Sequence, residues 1–297
     1  MTGTTEFEGI VNRAMDSTGA GVGLRPVVEK ELLHYEILGA MDAGGFVDRL
    51  TFQGGTCLRL CHGSERFSED LDFTGGVDFS VEDMASLAET ISKRLEGRLG
   101  LRSAVKPPKD TSTEGGVAVR KWQVSVETAP ERRRLPKQRI KIEIAALPSH
   151  TRETRGLIAN YEELPSGSGD TLLHAQTLTE ILADKLVALP ACVSHVRHRD
   201  VWDIRWLRQR RTNVDPELVA RKVADYSVVD FESKVADRID GMEDICRSDA
   251  FHAEMRRFLP APTYDRTLGD ERFLSVLADQ NREALQMLLA PENSPKV

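Results

Sequence analysis

The 297-residue chain carries 40 Lys and Arg against 47 Asp and Glu, which gives a formal net charge of −7, and 40% of its residues are hydrophobic. A protein that grips nucleic acid over its whole surface would be basic, so this charge balance excludes that class. The sequence has neither an apolar run of membrane-spanning length nor an N-terminal secretion signal. We therefore expect a cytoplasmic globular protein, with no membrane partner and with enough chain for two cores.

Helix and strand patterns alternate in the first half of the sequence. Apolar residues spaced by three and four predict a helix over 27–43, which Gly44-Gly45 ends. Alternating and β-branched patterns predict the strands of this half. The elements predicted after the first helix are a strand over 48–53, a short helix over 56–61, a strand over 69–73, a helix over 80–98, and strands over 102–107, 117–127 and 138–146.

Helical patterns fill the sequence from Thr177 onward. Thr177 and Glu180 have the spacing of a capping box, and Pro, Gly and Ser residues over 147–176 predict a domain boundary. The predicted helices of this half are 177–189, 199–211, 215–226, 231–247 and 269–290. We therefore predict an α+β domain over 1–165, with a mixed β-sheet and flanking helices, and a helical C-terminal domain over 166–297.

A Gly-Gly turn connects the first predicted strand to the short helix that follows it. Gly54 and Gly55 allow backbone amides to approach a phosphate, and the start of a helix favours anions. Thr56 adds a hydroxyl at the same place. Most such turns bind nothing, so the turn predicts a phosphate site only in combination with other features.

The segment Asp70-Leu71-Asp72-Phe73 provides such a feature. Side chains alternate along a strand, so Leu71 and Phe73 would face the core while Asp70 and Asp72 share the other face. Two adjacent carboxylates repel each other, and a divalent ion such as Mg²⁺ (or Mn²⁺) offsets that repulsion. Two-metal nucleotidyl transfer uses a carboxylate pair of this kind. Taken alone, the pattern is more often a solvated strand face.

A third carboxylate would complete a metal site. Glu143 alternates with three isoleucines in Ile140-Lys141-Ile142-Glu143-Ile144, which puts it on the polar face of a regular strand. Glu127 is the rival candidate, on a less regular strand. The regularity favours Glu143.

A lysine is out of place on the predicted helix 177–189. On a helical wheel Lys185 falls within the apolar arc, where a charged side chain needs a partner or a charged ligand. Asp203 is a candidate partner on the next helix. Lys185 therefore extends its ammonium group to solvent, meets a charged ligand, or forms an interhelix salt bridge without a catalytic role.

Cations are concentrated in two stretches of this acidic chain. Six lie within 132–141, and a second group of arginines lies within 197–211. Local basic patches on an acidic body are typical of proteins that touch phosphates in one place, although two solvated faces would have the same composition. These stretches are our candidates for contacts with phosphate groups.

The pattern Gly-Gly-Thr-x-Leu-Arg over 54–59, followed by Arg-x-Ser-x-Asp-Leu-Asp-Phe over 66–73, resembles the AbiEii/AbiGii toxin family of nucleotidyltransferases. This family, to which the MenT toxins are related, lies within the DNA-polymerase-β-like superfamily. Lys185 resembles the lysine of a later family helix, and Arg199, Asp200 and Asp203 resemble its R-D-x-x-D motif. The resemblance covers residues 50–205 and leaves the last helices without a motif.

The resemblance implies a nucleotidyltransferase-type mixed sheet and a metal-dependent toxin of a toxin–antitoxin system, with its antitoxin encoded nearby and a role in phage defence or growth arrest. It also implies transfer of NMP from an NTP, with Mg²⁺ (or Mn²⁺), to an RNA acceptor. The 3′ end of tRNA is the first candidate, and transfer there would block translation. Transfer to a small molecule or a protein hydroxyl, and a non-catalytic nucleotide-binding toxin, are the alternatives.

The resemblance and the residue patterns together assign the site. The catalytic set is Asp70, Asp72, Lys185, Asp203 and Glu143, of which Asp70, Asp72 and Glu143 would hold the metal; the nucleotide-binding set is Gly54, Gly55, Thr56, Arg66 and Ser68. Ser68 is also a candidate regulatory residue, because a phosphate there would add negative charge beside the carboxylates. A simple triphosphate or turn contact is the alternative role for Ser68.

Overall fold

A computed structural model describes residues 3–18, 21–108, 112–114, 117–129, 136–162 and 164–289. The chain forms two compact units. One comprises Met1–Thr177 with Phe258–Ala261, and the other comprises Leu178–Arg257 with Pro262–Val297. No helix among the described residues has both the length and the apolar character that crossing a membrane requires.

The first unit is an α+β structure built on one mixed sheet, which confirms the predicted fold class. Its helices are α1 (Gly3–Thr18), α2 (Arg25–Ala43), α3 (Gly54–His62) and α4 (Leu87–Leu99). Its strands are β1 (Thr51–Gln53), β2 (Leu71–Thr74), β3 (Ser103–Lys106), β4 (Ser112–Glu114), β5 (Val117–Val126), β6 (Gln138–Ala145), β7 (Arg152–Gly156) and β8 (Leu172–Gln176).

The strands follow the order β3-β5-β6-β2-β1-β8-β7, with β4 paired to β5. Strand β2 pairs parallel with β6 and antiparallel with β1, and β1 pairs parallel with β8. Alternate residues of the central strands, including Phe52, Leu71, Phe73, Ile142 and Ile144, are at most 1% exposed. This alternation leaves the intervening polar residues together on the opposite face of the sheet.

Three elements of this unit differ from the sequence prediction. The predicted strand 48–53 is a strand only from Thr51, because residues 47–49 form a 3-10 turn. The predicted strand 69–73 begins at Leu71, so Asp70 lies just before it. Strands β7 and β8 occupy the stretch 147–176 that was assigned to a boundary, and the units divide between Thr177 and Leu178, not at 165/166.

The second unit is helical, as the sequence predicted. Its helices are α5 (Leu178–Ala191), α6 (His198–Gln209), α7 (Pro216–Asp225), α8 (Phe231–Asp240), α9 (Met242–Arg247), α10 (Asp249–Arg256), α11 (Ala261–Arg266) and α12 (Glu271–Gln286). The single helix predicted over 231–247 is divided at Gly241. Helices α10 and α11 are too short to show a clear periodic pattern in the sequence.

Candidate active site

A row of polar residues crosses the centre of the sheet. Gln53 pairs with Asp72, Asp72 with Glu143, and Glu143 with Lys121, on four adjacent strands. Directly opposed residues share a face of the sheet and lie about 5 Å apart. The neighbours of these residues along β2 and β6 are buried apolar side chains. The row therefore lies on the polar face, with two carboxylates at its centre.

Asp70 joins this row from outside the strand. The backbone amide of Lys141 donates a 3.0 Å hydrogen bond to Asp70 Oδ1, and the Thr56 hydroxyl donates to the Asp70 carbonyl. His34 Nε2 donates to the carbonyl of the preceding Glu69, 3.0 Å away. Burial lowers the pKa of His34 to about 4, so the ring is neutral at pH 7. Asp70 is thus held beside the pair formed by Asp72 and Glu143, although not on their strands.

Two lysines that the sequence prediction did not assign to the site contact its carboxylates. Lys141 Nζ lies 3.7 Å from Asp70 Oδ2 and 3.8 Å from Glu143 Oε1. Lys121 Nζ lies 3.5 Å from Glu143 Oε2. Lys141 alternates with Glu143 along β6, so the sequence places both on one face, but only the pairing of β2 with β6 brings Asp70 within reach.

The Gly-Gly turn lies directly against the site. Gly54 has a φ of +76°, and a Cβ there would lie 2.8 Å from Asp72 Oδ2. A Cβ on Gly55 would lie 2.5 Å from Arg66 Nη2 and 2.9 Å from Ser68 Oγ. The positive φ of Gly54 favours glycine there, and at both positions a side chain would have to displace these neighbouring atoms. The structure therefore brings the predicted nucleotide-binding residues together beside Asp72.

The side chains around this turn are mostly buried. Thr56 is 1% exposed and its hydroxyl donates to Asp70, while Arg66 is 2% exposed and donates to the Phe67 carbonyl. Ser68 is 7% exposed. Thr56 and Arg66 therefore shape the loop around the site, and a modifying enzyme would reach Ser68 only after local opening.

Lys185 and Asp203 lie in the helical unit, in a buried ion cluster. Lys185 Nζ lies 2.7 Å from Asp200 Oδ1 and 2.7 Å from Asp203 Oδ2. Arg197 also pairs with Asp200. Burial raises the pKa of Asp200, but Arg197 and Lys185 outweigh it and hold the pKa well below its ordinary value. These contacts explain a lysine on the apolar arc and are compatible with either role for it.

Most arginines of the second basic stretch already have partners among the described residues. Arg132 to Arg134 lie outside the described residues. Most arginines of the second stretch have partners within the helical unit: Arg199 with Glu254 (3.4 Å), Arg205 over the Phe273 ring (4.1 Å), Arg208 with the Thr212 carbonyl (2.9 Å) and Arg210 over the Trp206 ring (4.4 Å). This stretch therefore contributes to packing as well as to surface charge.

The carboxylates suit a metal that arrives with its substrate. No three His, Cys, Asp or Glu side chains in the described part of the chain are grouped as ligands of a metal ion. Mg²⁺ needs only one or two carboxylates when substrate phosphates supply other ligands. Because Gly54 has no side chain, its backbone leaves room next to Asp72 Oδ2. One or two of Asp70, Asp72 and Glu143 therefore fit a divalent ion whose remaining ligands a triphosphate would supply.

Comparisons with known proteins agree with this geometry. The sequence profile of one family, the nucleotidyl transferase AbiEii toxin of type IV toxin–antitoxin systems, matches residues 36–288. The nucleotidyltransferase toxin MenT4 from Mycobacterium tuberculosis is 19% identical, with a TM-score of 0.54 over 95% of this chain and 98% of that one. JHP933 from Helicobacter pylori is 18% identical, with a TM-score of 0.51 over 89% and 93% of the two chains. At these identities the likeness concerns the fold, and no curated protein sequence matches the chain.

Proposed function

We propose that this chain, which belongs to the AbiEii family of nucleotidyltransferase toxins, transfers NMP from an NTP to an RNA acceptor. The 3′ end of tRNA is the first candidate for that acceptor. Nucleotidyl transfer and the toxin–antitoxin setting come from family membership. The RNA acceptor is taken from the resemblance to this family, and one observation supports the metal and NTP site. Asp72 and Glu143 are paired on adjacent strands, beside Asp70 and a Gly54-Gly55 turn where a Cβ would crowd Asp72, Arg66 or Ser68.

The residues of the sheet have separate roles in this proposal. Asp70, Asp72 and Glu143 would hold Mg²⁺ (or Mn²⁺), and the ion would supply positive charge for the α-phosphate and the departing pyrophosphate. Gly54, Gly55 and Ser68 line the triphosphate. Thr56 and Arg66 act by holding the loop that carries Asp70 and Ser68. Glu143 lies between Asp72 and Lys121 in the row, and we assign it the orientation of the acceptor hydroxyl.

Lys185 would offset phosphate charge, with Asp203 and Asp200 holding its ammonium group in place. A lysine fixed by two buried carboxylates loses little side-chain freedom when it meets a phosphate. The salt bridge to Asp203 then serves to position Lys185 and does not compete with a catalytic role.

In the cell, this activity would make the protein a cytoplasmic toxin. Addition of a nucleotide to the 3′ end of tRNA blocks aminoacylation, which would arrest translation and growth. A cognate antitoxin encoded nearby would counter that effect, and infection by phage is one setting for its release.

Label transfer tests the proposed reaction. The protein is incubated with each labelled NTP, with total tRNA or without any added acceptor, in Mg²⁺ or Mn²⁺. We expect label in tRNA, with one NTP preferred. Label in the protein itself would instead indicate a protein hydroxyl as the acceptor. No transfer by folded protein in either metal would overturn the RNA proposal.

Lys185→Met tests whether the helical unit takes part in the reaction. Removal of this lysine leaves Asp200 and Asp203 buried without their shared cation, so we expect the unit to lose about 3–5 kcal/mol of stability. We also expect kcat/KM per folded molecule to fall by about 10²-fold or more. Transfer is measured well below the melting temperature of the variant.

Lys222→Met is the matched control for this experiment. Lys222 is another buried lysine of the same unit, paired with Glu180 and Asp184, and it belongs to no predicted site. If both variants keep normal activity per folded molecule, Lys185 is only a structural ion-pair residue.

A further inference from the structure

Lys141 contacts the site in two independent ways. Its backbone amide holds Asp70 Oδ1 at 3.0 Å, and its ammonium group lies 3.7 Å from Asp70 Oδ2 and 3.8 Å from Glu143 Oε1. The first contact positions a carboxylate that the strand itself does not include. The second places a positive charge between two carboxylates that a metal would use.

A cation at this position opposes the binding of a second cation. An ammonium group within 4 Å of two carboxylates offsets part of their mutual repulsion. A free divalent ion must either displace the Lys141 ammonium group or bind close to it, against electrostatic repulsion. Both weaken binding of the ion. The Lys141 side chain is 54% exposed, so it can swing towards solvent when something favours the exchange. A metal already bound to a triphosphate brings negative charge that attracts the displaced ammonium group.

We propose that Lys141 is a resident counter-ion of the carboxylates, which keeps free divalent metal weakly bound so that the metal enters with the NTP. The inference rests on the proposed function, because it concerns the same metal site. When metal and NTP are bound, the displaced Lys141 ammonium group contacts the triphosphate. The same side chain therefore weakens binding of the free ion and strengthens binding of the metal–nucleotide complex.

Mn²⁺ binding, measured by electron paramagnetic resonance without nucleotide, tests this inference apart from catalysis. We expect Lys141→Met to bind free Mn²⁺ about three- to ten-fold more tightly than the parent, as removal of a partly screened charge near 4 Å would produce. Lys141→Arg keeps the charge and should bind as the parent does. The backbone amide that holds Asp70 is present in every variant.

Lys137→Met is the matched control. Lys137 is 54% exposed like Lys141 and lies just before the same strand, but it pairs with Glu127 at 2.5 Å. Its replacement makes the same change in net charge without touching the site, so we expect Mn²⁺ affinity within two-fold of the parent.

The possible outcomes separate the two proposals. If Mn²⁺ binds to neither the parent nor its complex with a non-hydrolysable NTP analogue, the metal site itself fails. If Mn²⁺ binds, but Lys141→Met is no tighter than Lys137→Met, the counter-ion inference is overturned and the metal site stands. In the presence of the analogue we expect the order to reverse, with Lys141→Met binding the metal–nucleotide complex several-fold more weakly than the parent.

Discussion

Asp72→Asn is expected to lower kcat for nucleotidyl transfer by about 10³-fold while leaving the fold intact. Asp72 is the central member of the polar row, with Gln53 on one side and Glu143 on the other. Asparagine has nearly the same shape, so the close contact with Gly54 survives. It loses the charge that binds the metal, and the metal supplies several kcal/mol of transition-state stabilisation at 1.36 kcal/mol for each factor of ten in rate.

Asp78→Asn is the control for the loss of one negative charge. Asp78 is 79% exposed and lies 3.9 Å from Arg49, beyond the end of β2. We expect its transfer rate to stay within two-fold of the parent. Expression in cells gives a second readout, in which the parent and Asp78→Asn arrest growth and Asp72→Asn does not. Equal toxicity of Asp72→Asn and the parent would rule out catalysis as the cause of growth arrest.

Local sequence patterns predicted the parts of this site that depend on neighbouring residues. Leu71 and Phe73 alternate with Asp72, and both are buried, so the polar face of β2 followed from its sequence. The three isoleucines around Glu143 placed that residue in the same way. Glycine at positions 54 and 55 marked the turn, because few other residues allow a backbone to approach side chains so closely.

Contacts between distant segments account for what the sequence did not reveal. The pairing of β2 with β6 puts Asp72 beside Glu143, and no local pattern specifies such a register. The same pairing lets the Lys141 amide hold Asp70 outside the strand, which local alternation could not anticipate. Strand β8 is short and lies within a Gly, Ser and Pro-rich stretch, so only its pairing with β1 identifies it as part of the sheet.

Lys222, in the helical unit, is another residue whose environment the local sequence did not reveal. The sequence Ala-Arg-Lys-Val around it is typical of a solvated helix face, yet its side chain is fully buried. Its ammonium group lies 2.7 Å from Glu180 Oε1 and 3.1 Å from Asp184 Oδ1, on α5. Burial lowers the pKa of Lys222, but these two carboxylates outweigh that effect and raise the pKa above its usual value. The cluster is therefore charged in the folded protein.

Lys222→Met is expected to destabilise the helical unit by about 3–5 kcal/mol, since it breaks the fully buried ion pair between Lys222 and Glu180. Hydrogen exchange measured by mass spectrometry should show protection of α5 and α7 falling by more than about 10²-fold, because each 1.4 kcal/mol is a factor of ten in the opening equilibrium. Lys234→Met removes a surface lysine of the same unit that donates to the Val229 carbonyl. This variant should change the free energy of unfolding of the helical unit by no more than about 0.5 kcal/mol.

A double variant shows whether the broken ion pair or poor packing causes this loss of stability. In Glu180→Leu/Lys222→Met both members of the fully buried pair are apolar, and such replacements are often neutral or stabilising. Asp184 keeps the hydroxyl of Tyr226, which donates to it at 3.2 Å. We expect the double variant to recover most of the lost protection. If it stays as unstable as Lys222→Met, the lysine acts through its packing, and the ion pair contributes little to holding α5 against α7.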